Sequence, residues 1–216
     1  MSVAPDLAPL FELQIRTARL ELRLPTEAEL VLLAAVAEAG VHPPEEMPFA
    51  VPWTDTAGTP GFRDEVIAFH VGLRDAWEPD DWALACGVFA DGAIIGVQEV
   101  NAIRFAERRT VGTGSWLGAA FQGHGYGTEM RAAVLHLAFA GLGAEVAESG
   151  AFVTNPRSAR VSEKLGYEAS GESIVAPRGA PVRERRFRLD AATWRTTGRI
   201  AVELDGLEPC LPLFGL

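Results

Sequence analysis

A glycine-rich turn between a strand-like run and a helix-like run constrains this chain more than any other feature. Residues 122–128 read Gln-Gly-His-Gly-Tyr-Gly-Thr, after the apolar run Ser115–Phe121 and before the helical run Glu129–Ala140. Glycines at alternate positions let the backbone bend sharply and approach a ligand without Cβ clashes. At a helix start such a turn gathers free N–H groups and the positive end of the helix dipole, which favours phosphate or pyrophosphate.

Two other phosphate motifs fail to match this turn. Walker A needs a glycine, four residues and then Gly-Lys-Ser/Thr, and the chain has no such run. The dinucleotide fingerprint needs its third glycine one position after Gly127, where Thr128 stands, and an acidic residue that residues 153–155 do not offer. A nucleotide-binding transferase and a plain glycine-rich turn without a ligand both stay open at this point.

Composition and charge restrict the class of protein and its partners. The 216 residues are 48% hydrophobic and 22% charged, which is typical of a single globular domain with a substantial core. A net charge of −10 argues against nucleic acid and favours cationic partners such as amines. No export signal or membrane-length apolar run is visible, so we expect a cytoplasmic protein without a membrane partner. Cys86 and Cys210 match no metal-ligand spacing, so we expect reduced core thiols and no metal.

Periodicity predicts an α/β domain with a mostly antiparallel sheet and helices on both faces. Residues 15–24 alternate as one strand, and a helix follows that ends before Gly40. The proline-rich loop, residues 41–60, separates it from the later elements. These are a helix at 61–76, strands at 82–90, 93–105 and 110–121, a helix at 126–140, a strand at 145–153, a helix at 155–165, and strands at 167–174 and 184–189. The strand–helix–strand unit over 110–153 would make two strands parallel.

A second constellation lies one strand beyond the glycine turn. Asn155-Pro156 has a capping residue followed by proline at the first helical position, and the helix ends in Glu-Lys-Leu-Gly-Tyr at residues 163–167. Asn155, Ser158 or Ala159, and Ser162 recur at helical spacing, so they share one helix face.

Together the two constellations resemble the GCN5-related N-acetyltransferase (GNAT) family. Its first motif is Gln/Arg-x-x-Gly-x-Gly/Ala between a strand and a long helix, and Gln122, Gly125 and Gly127 match it. Its second motif is a strand, Asn, and a helix ending Glu-Lys-x-Gly-Phe/Tyr, which Asn155 and residues 163–167 match.

The alternating start at residues 19–24 also resembles the branch that acetylates the N-termini of ribosomal proteins. The resemblance covers a core of about residues 15–190, and we expect one acyltransferase domain over 1–216 with a C-terminal extension at 191–216.

The resemblance implies a GNAT-like sheet with splayed central strands. It implies transfer of an acetyl or other short acyl group from acetyl-CoA to a primary amine, by direct attack in a ternary complex. The backbone N–H near Leu117 or Gly118 would stabilise the oxyanion. The residues implied in coenzyme A binding are Trp116, Leu117, Gly118, Ala119, Gln122, Gly123, His124, Gly125, Tyr126, Gly127, Thr128, Asn155 and Ser158.

Two residues are candidates for catalysis. Many family members place a general-acid tyrosine seven residues after the asparagine, and here that position is Ser162, whose hydroxyl is a poor acid. Glu99, on the strand beside the cofactor strand, is the candidate general base, with His42 and His70 as alternatives. Residues expected to wall the acceptor pocket are Met47, Phe49, Trp53 and Trp82.

Several alternatives stay open. The acceptor is a peptide N-terminus, a lysine or a small amine such as an antibiotic. Arg104, Arg108 and Arg109 would suit an acidic acyl group, so succinyl-CoA is an alternative donor. An acyl-CoA-binding sensor without turnover is an alternative function, since the tyrosine is missing. A homodimer or higher homo-oligomer is expected, with the apolar tail at residues 211–216 as a contact.

Overall fold

The computed structural model describes residues 5–197 and 200–216. Within these residues nine strands form one sheet: β1 (Gln14–Arg16), β2 (Glu21–Arg23), β3 (Asp81–Ala90), β4 (Ala93–Ile103), β5 (Thr110–Leu117), β6 (Val146–Phe152), β7 (Glu168–Val175), β8 (Val182–Asp190) and β9 (Glu203–Asp205). The helices of this part of the chain are α1 (Ala8–Glu12), α2 (Glu27–Glu38), α3 (Phe62–Asp75), α4 (Phe105–Arg108), α5 (Tyr126–His136), α6 (Pro156–Lys164) and α7 (Ala191–Thr196).

The sheet is mixed and mostly antiparallel. Its strand order is β7-β8-β6-β5-β4-β3-β2-β1-β9. The pair β5–β6 is parallel because α5 crosses over between them, and the other described pairs are antiparallel. This confirms the predicted α/β class, the antiparallel character of the sheet and the parallel pair.

The two parallel strands separate after three residue pairs. Thr110 to Gly112 pair with Val146 to Glu148, and beyond that point β5 pairs with β4 alone while β6 pairs with β8 alone. The Thr113 hydroxyl donates to the Glu148 carbonyl at 3.1 Å, which marks the apex of the opening. The sheet is therefore split at its centre, as the resemblance implies.

The helices cover both faces of the sheet. Leu30 and Leu33 of α2 pack against Ala85, Phe89 and Val97. On the other face, a larger core joins α5 to the alternate strand residues Cys86, Val88, Ile95, Val100 and Val111. Thr26 and Glu29 form a capping box that begins α2. No helix among the described residues is both long enough and apolar enough to cross a bilayer.

The first predicted strand is wrong in its extent. Residues 15–24 contain two short antiparallel strands, because Thr17 closes a turn by accepting a hydrogen bond from the Leu20 N–H at 3.0 Å. Alternation alone cannot reveal such a turn, since Ile15 before it and Leu20, Leu22 and Leu24 within and after it are all buried.

The C-terminal tail contributes to the core. β9 pairs with β1, and the fully buried Phe214 packs against Trp77 and Trp82 at ring-centre distances of 5.6 and 4.8 Å. The tail at 211–216 is therefore largely covered by its own domain, which removes the sequence argument for a contact between copies there.

Candidate active site

The glycine turn presents a row of free backbone amides. Gly123 and Gly125 have φ values of 82° and 83°, a left-handed conformation that other residues adopt at a cost. Within the described part of the chain, the amide N–H groups of residues 123–127 make no hydrogen bond to backbone or side chain. These N–H groups, at the positive end of α5, form a site suited to an anion.

The turn is held from outside by an ion pair. Arg19, in the β1–β2 turn, pairs with the buried Glu129 carboxylate, which also accepts from the Thr17 hydroxyl at 2.6 Å. Arg19 donates to the His124 carbonyl at 3.1 Å and lies over the Tyr126 ring. His124 and Tyr126 thus contribute to fixing the turn, and their side chains do not line the cleft described next.

A cleft of about 550 Å³ runs from the turn into the split sheet. The predicted cofactor residues that line it are Trp116, Leu117, Gln122, Gly123, Gly125, Gly127, Thr128, Asn155 and Ser158. Gln122 borders the cleft, and its side-chain amide is engaged within the protein. This amide donates to the carbonyls of Val41 at 2.6 Å and Leu117 at 2.9 Å. The motif glutamine therefore joins the proline-rich loop to the end of β5.

The register of β5 determines which amides face the cleft. Gly118 donates to the Ile95 carbonyl at 3.0 Å, so Leu117 and Gly96 form an antiparallel pair without mutual hydrogen bonds. Leu117 and Ser115 consequently direct their N–H groups away from β4, into the gap. The predicted role of the Gly118 N–H as an oxyanion donor is wrong because this group is already bonded. The Ala119 N–H is likewise occupied, by the Gly40 carbonyl at 2.9 Å.

Helix α6 forms the opposite wall of the cleft. Asn155 caps it by accepting from the Ser158 N–H at 3.2 Å, and both residues line the cleft. Arg157, Arg160 and Lys164 line the same cleft and were not predicted. Their spacing of three and four residues places them on one helix face, a signal present in the sequence. A chain with a net charge of −10 thus concentrates positive charge here.

The proline-rich loop covers one side of the cleft with aromatic residues. Phe49 lines the cleft, and its ring lies 5.3 Å from Trp53, which lies 5.5 Å from Trp116 on β5. Met47 is half-buried in the same loop but does not line the cleft.

Trp82 is a core residue rather than a wall of the acceptor pocket. It is 2% exposed and packs against Trp77, Phe105 and Phe214. Its strand carries aromatic and apolar side chains on both faces. Alternation in the sequence therefore does not distinguish Trp82, which packs in the core, from Trp116, which lines the cleft.

A buried arginine bridges the two strands where β5 and β6 separate. Arg131 of α5 is 4% exposed and lines the cleft. Its guanidinium donates to the Ser115 hydroxyl on β5 at 3.1 Å, to the Ser149 hydroxyl on β6 at 3.0 Å and to the Gln98 side-chain oxygen at 3.3 Å. The sequence interpretation missed Arg131, although it shares a helix face with the predicted core residues Val134 and Ala138.

Two carboxylates lie near the gap on the opposite face of the sheet. Glu184 lines the cleft, whereas Glu99, on β4, is not among the lining residues. Glu99 lies across from Gly114, accepts from the Asn101 amide at 2.6 Å and is half-buried. Nothing lies within 4 Å of the point where a Gly114 side chain would begin, so the space beside Glu99 is open. Glu184 of β8 was not predicted, and it accepts from the Ser173 hydroxyl at 2.9 Å.

A side pocket of about 280 Å³ shares Thr113, Gly150 and Glu184 with the cleft. Asn101 and Glu148 also line this side pocket. Arg186 lines it too, so the carboxylates of Glu148 and Glu184 outnumber the positive charge, and their oxygens suit a cationic group such as an ammonium.

Ser162 does not line the cleft. It is 1% exposed, and its hydroxyl has no hydrogen-bond partner among the described residues. His42 lines the cleft, whereas His70 is buried in α3. Arg104, Arg108 and Arg109 lie around α4, before the paired end of β5, and do not line the cleft.

Neither cysteine is an available nucleophile. Both are free and buried, and burial raises the pKa of the Cys86 thiol to about 12 and raises that of Cys210 in the same direction.

Comparison with known proteins identifies the architecture. Residues 19–168 match the profile of the acetyltransferase (GNAT) domain family. A putative ribosomal-protein-serine acetyltransferase from Vibrio cholerae has a TM-score of 0.65 at 22% identity, over 82% of this chain and 97% of that chain. RimJ from Mycobacterium smegmatis, solved with CoA-disulfide, has a TM-score of 0.70 at 16% identity, over 88% and 92%. RimL, a ribosomal-protein α-N-acetyltransferase solved with coenzyme A, has a TM-score of 0.66 at 19% identity, over 81% and 95%. At these identities the likeness is one of fold.

Proposed function

The chain belongs to the acetyltransferase (GNAT) family, and on that premise we propose that it transfers an acetyl or other short acyl group from acyl-CoA to a primary amine. The observation that carries this proposal is the row of unoccupied amides at residues 123–127, at the mouth of a cleft that enters a split sheet. A pyrophosphate fits the amides, and an extended thioester arm fits the gap beside Leu117.

The residues present fit coenzyme A. The amides of the glycine turn would hold the diphosphate, and Arg157, Arg160 and Lys164 supply positive charge across the cleft from it. Leu117 and Ser115 offer N–H groups along the gap, and Asn155 and Ser158 border it. Coenzyme A, when bound, supplies an activated acyl carbon and a thiolate leaving group with a pKa of roughly 8.5.

The chain's own residues then have three tasks. The N–H of Ser115 or Leu117 stabilises the negative charge that develops on the acyl oxygen. Glu99 takes the proton that the ammonium must lose, directly or through water, and Glu184 attracts the ammonium to the opposite side of the gap. Ser162 is too buried for direct contact with the substrates, so we propose that its role is to hold the α6 wall in place.

The acceptor is proposed to be a peptide-like amine. RimL and the Vibrio cholerae protein are named as acetyltransferases of ribosomal proteins, which supports a peptide N-terminus ahead of a lysine side chain or a small amine. The side pocket, in which Glu148 and Glu184 outnumber Arg186, supports entry of the amine from that face of the sheet.

Two further expectations accompany the proposal. A homo-oligomer is proposed from the family, without a role for the tail, and sedimentation of the purified protein measures it. A cytoplasmic location is proposed as well, and the two free, buried thiols agree with a reducing compartment.

Thermal melts with added ligand, followed by thiol release, test the function. Acetyl-CoA at about 100 times its Kd should add about 2.7 kcal/mol of stability, whereas ATP should add none. Free thiol should then appear steadily when peptides with free N-termini are supplied. Protection by ATP alone would contradict the proposal, and binding of acetyl-CoA without thiol release across broad amine panels would identify a sensor instead.

A further inference from the structure

The Arg131 guanidinium is a buried positive charge without a negative partner. It is 4% exposed, and none of the ion pairs among the described residues includes it. Its three hydrogen bonds go to neutral groups, namely two serine hydroxyls and one amide. A buried charge is costly unless an opposite charge compensates it. Within the described chain, no carboxylate therefore lies within ion-pair distance of this cation at the floor of the cleft.

Donors for such an anion remain unused at this point. A guanidinium has five N–H groups, and three of those of Arg131 are bonded. The Tyr167 phenol is buried nearby, and its oxygen has no hydrogen-bond partner of normal geometry among the described residues. Burial raises the pKa of Tyr167, with a partial offset from the neighbouring Arg131 and Thr113, so its O–H stays protonated and able to donate.

The position of Arg131 relative to the cleft decides what the anion belongs to. The pairing of β5 with β6 ends at Gly112 and Glu148. Ser149 is the next residue on β6, and Ser115 lies three residues beyond Gly112 on β5. An arm that enters past the glycine turn and follows β5 from Leu117 toward Ser115 leads to this apex. This step rests on the proposed function, since it takes the arm to be the pantetheine chain of coenzyme A. The far end of the acyl group would then meet Arg131.

We propose that the acyl group carries a carboxylate and that Arg131 selects it. The donor class is the mono-CoA thioester of a short dicarboxylic acid, such as a malonyl or succinyl thioester. A carboxylate accepts two parallel hydrogen bonds from a guanidinium, and Tyr167 would add a third donor. In the transfer the amine nitrogen forms a bond to the acyl carbon, the carbon–sulfur bond breaks, the thiolate leaves, and the nitrogen loses a proton. The product amide keeps a free carboxylate where the acceptor had a positive charge.

Binding of paired donors to the full chain tests the proposal. Succinyl-CoA and butyryl-CoA have acyl chains of equal length and differ in the terminal carboxylate. We expect the unaltered protein to bind succinyl-CoA roughly 10- to 100-fold more tightly, the range that charge-assisted hydrogen bonds support. In Arg131→Met the two Kd values should become similar, while Kd for coenzyme A itself stays the same. Arg157→Met, at the mouth of the cleft, is the matched control and should weaken both donors equally.

A second readout keeps the test independent of folding defects. Arg131→Met also removes the hydrogen bonds to Gln98, Ser115 and Ser149, so its melting temperature without ligand and its unchanged Kd for coenzyme A establish that the variant is folded before the two donors are compared. Tyr167→Phe retains the charge and should reduce the preference only partly.

Three outcomes would overturn the inference. One is equal affinity of the unaltered protein for the two donors, and another is an unchanged preference in Arg131→Met. The third is an equal loss of turnover with acetyl and succinyl donors, which would assign Arg131 to the acyl oxygen instead. Failure to bind coenzyme A at all would instead reject the proposed function, so the two failures are distinguishable.

Discussion

At the scale of single residues, the gap between β5 and β6 separates two opposite electrostatic environments. Arg131 lies on the α5 face with Gln98, Ser115 and Ser149, whereas Glu99 and Glu184 lie on the other face, which also carries Arg186. Alternation along each strand produces this separation, since neighbouring side chains point to opposite faces. A donor with negative charge and an acceptor with positive charge would therefore meet across the sheet, each on the face of opposite sign.

The two carboxylates should differ in their kinetic roles. Glu99→Gln removes the proton acceptor, so kcat should fall by about 100-fold or more and the acidic limb of the pH–rate profile should flatten. Glu184→Gln, the matched variant on the other side of the gap, should raise KM for the amine about tenfold and leave the shape of the profile unchanged. Steady-state thiol release from pH 5 to 9 measures both. A retained acidic limb in Glu99→Gln would contradict the assignment.

At the scale of elements, the glycine turn and α5 act as one unit. The left-handed φ values at Gly123 and Gly125 turn successive N–H groups outward, and the Arg19–Glu129 pair fixes the turn against the β1–β2 hairpin. Glu129, in the first turn of the helix, also interacts favourably with the helix dipole. The anion site is therefore a property of the turn, the helix and the hairpin together.

A pair of alanine variants separates the strain of the turn from its function. Gly125→Ala and Gly92→Ala both introduce a side chain at positive φ, 83° and 78°, without a severe clash. Each should lose about 1–2 kcal/mol of stability. Only Gly125→Ala should also weaken coenzyme A, because Gly125 lines the cleft and Gly92 lies in the β3–β4 turn. Urea unfolding and calorimetric titration measure the two effects, and equal Kd values in both variants would count against the anion site.

At the scale of the whole molecule, a single buried histidine should make stability depend on pH. His70 of α3 is 5% exposed, and burial, with a smaller effect from Arg74, lowers its pKa from 6.5 to about 4. Between these values the unfolded chain binds more protons than the folded chain. Stability is therefore full above pH 6.5 and is lost as the pH falls toward 4.

Urea unfolding at several pH values tests this dependence. The loss attributable to His70 should reach at most about 3 kcal/mol at pH 4, and His70→Gln should remove most of it while matching the slope of the parent at pH 8. Glu29, whose pKa its bond with Arg23 lowers to about 2, loses its contribution only between pH 4.5 and 2. An unchanged slope between pH 4 and 6.5 in His70→Gln would refute the assignment.

Local patterns in the sequence determined the order and type of most elements. Capping residues, turn glycines and apolar periodicity depend on neighbours within a few residues, so α2, α5, α6, the β3–β4 hairpin and the glycine turn were predictable. The motif spacing also predicted the family. The two strands within residues 15–24 were not separable, because the turn at Thr17 keeps the apolar alternation on both sides.

Tertiary structure alone decided which side chains reach the site. Trp82 and Trp116 are both strand tryptophans, yet one packs in the core and the other beside the proline-rich loop. The helix face of Arg131 indicates burial, but neither Arg131 nor Glu184 carries a local sign that it borders the cleft, because the cleft forms where β5 and β6 separate and where β8 inserts beside β6. The physical reason is that burial and charge pairing depend on contacts between residues far apart in the chain, which local periodicity does not encode.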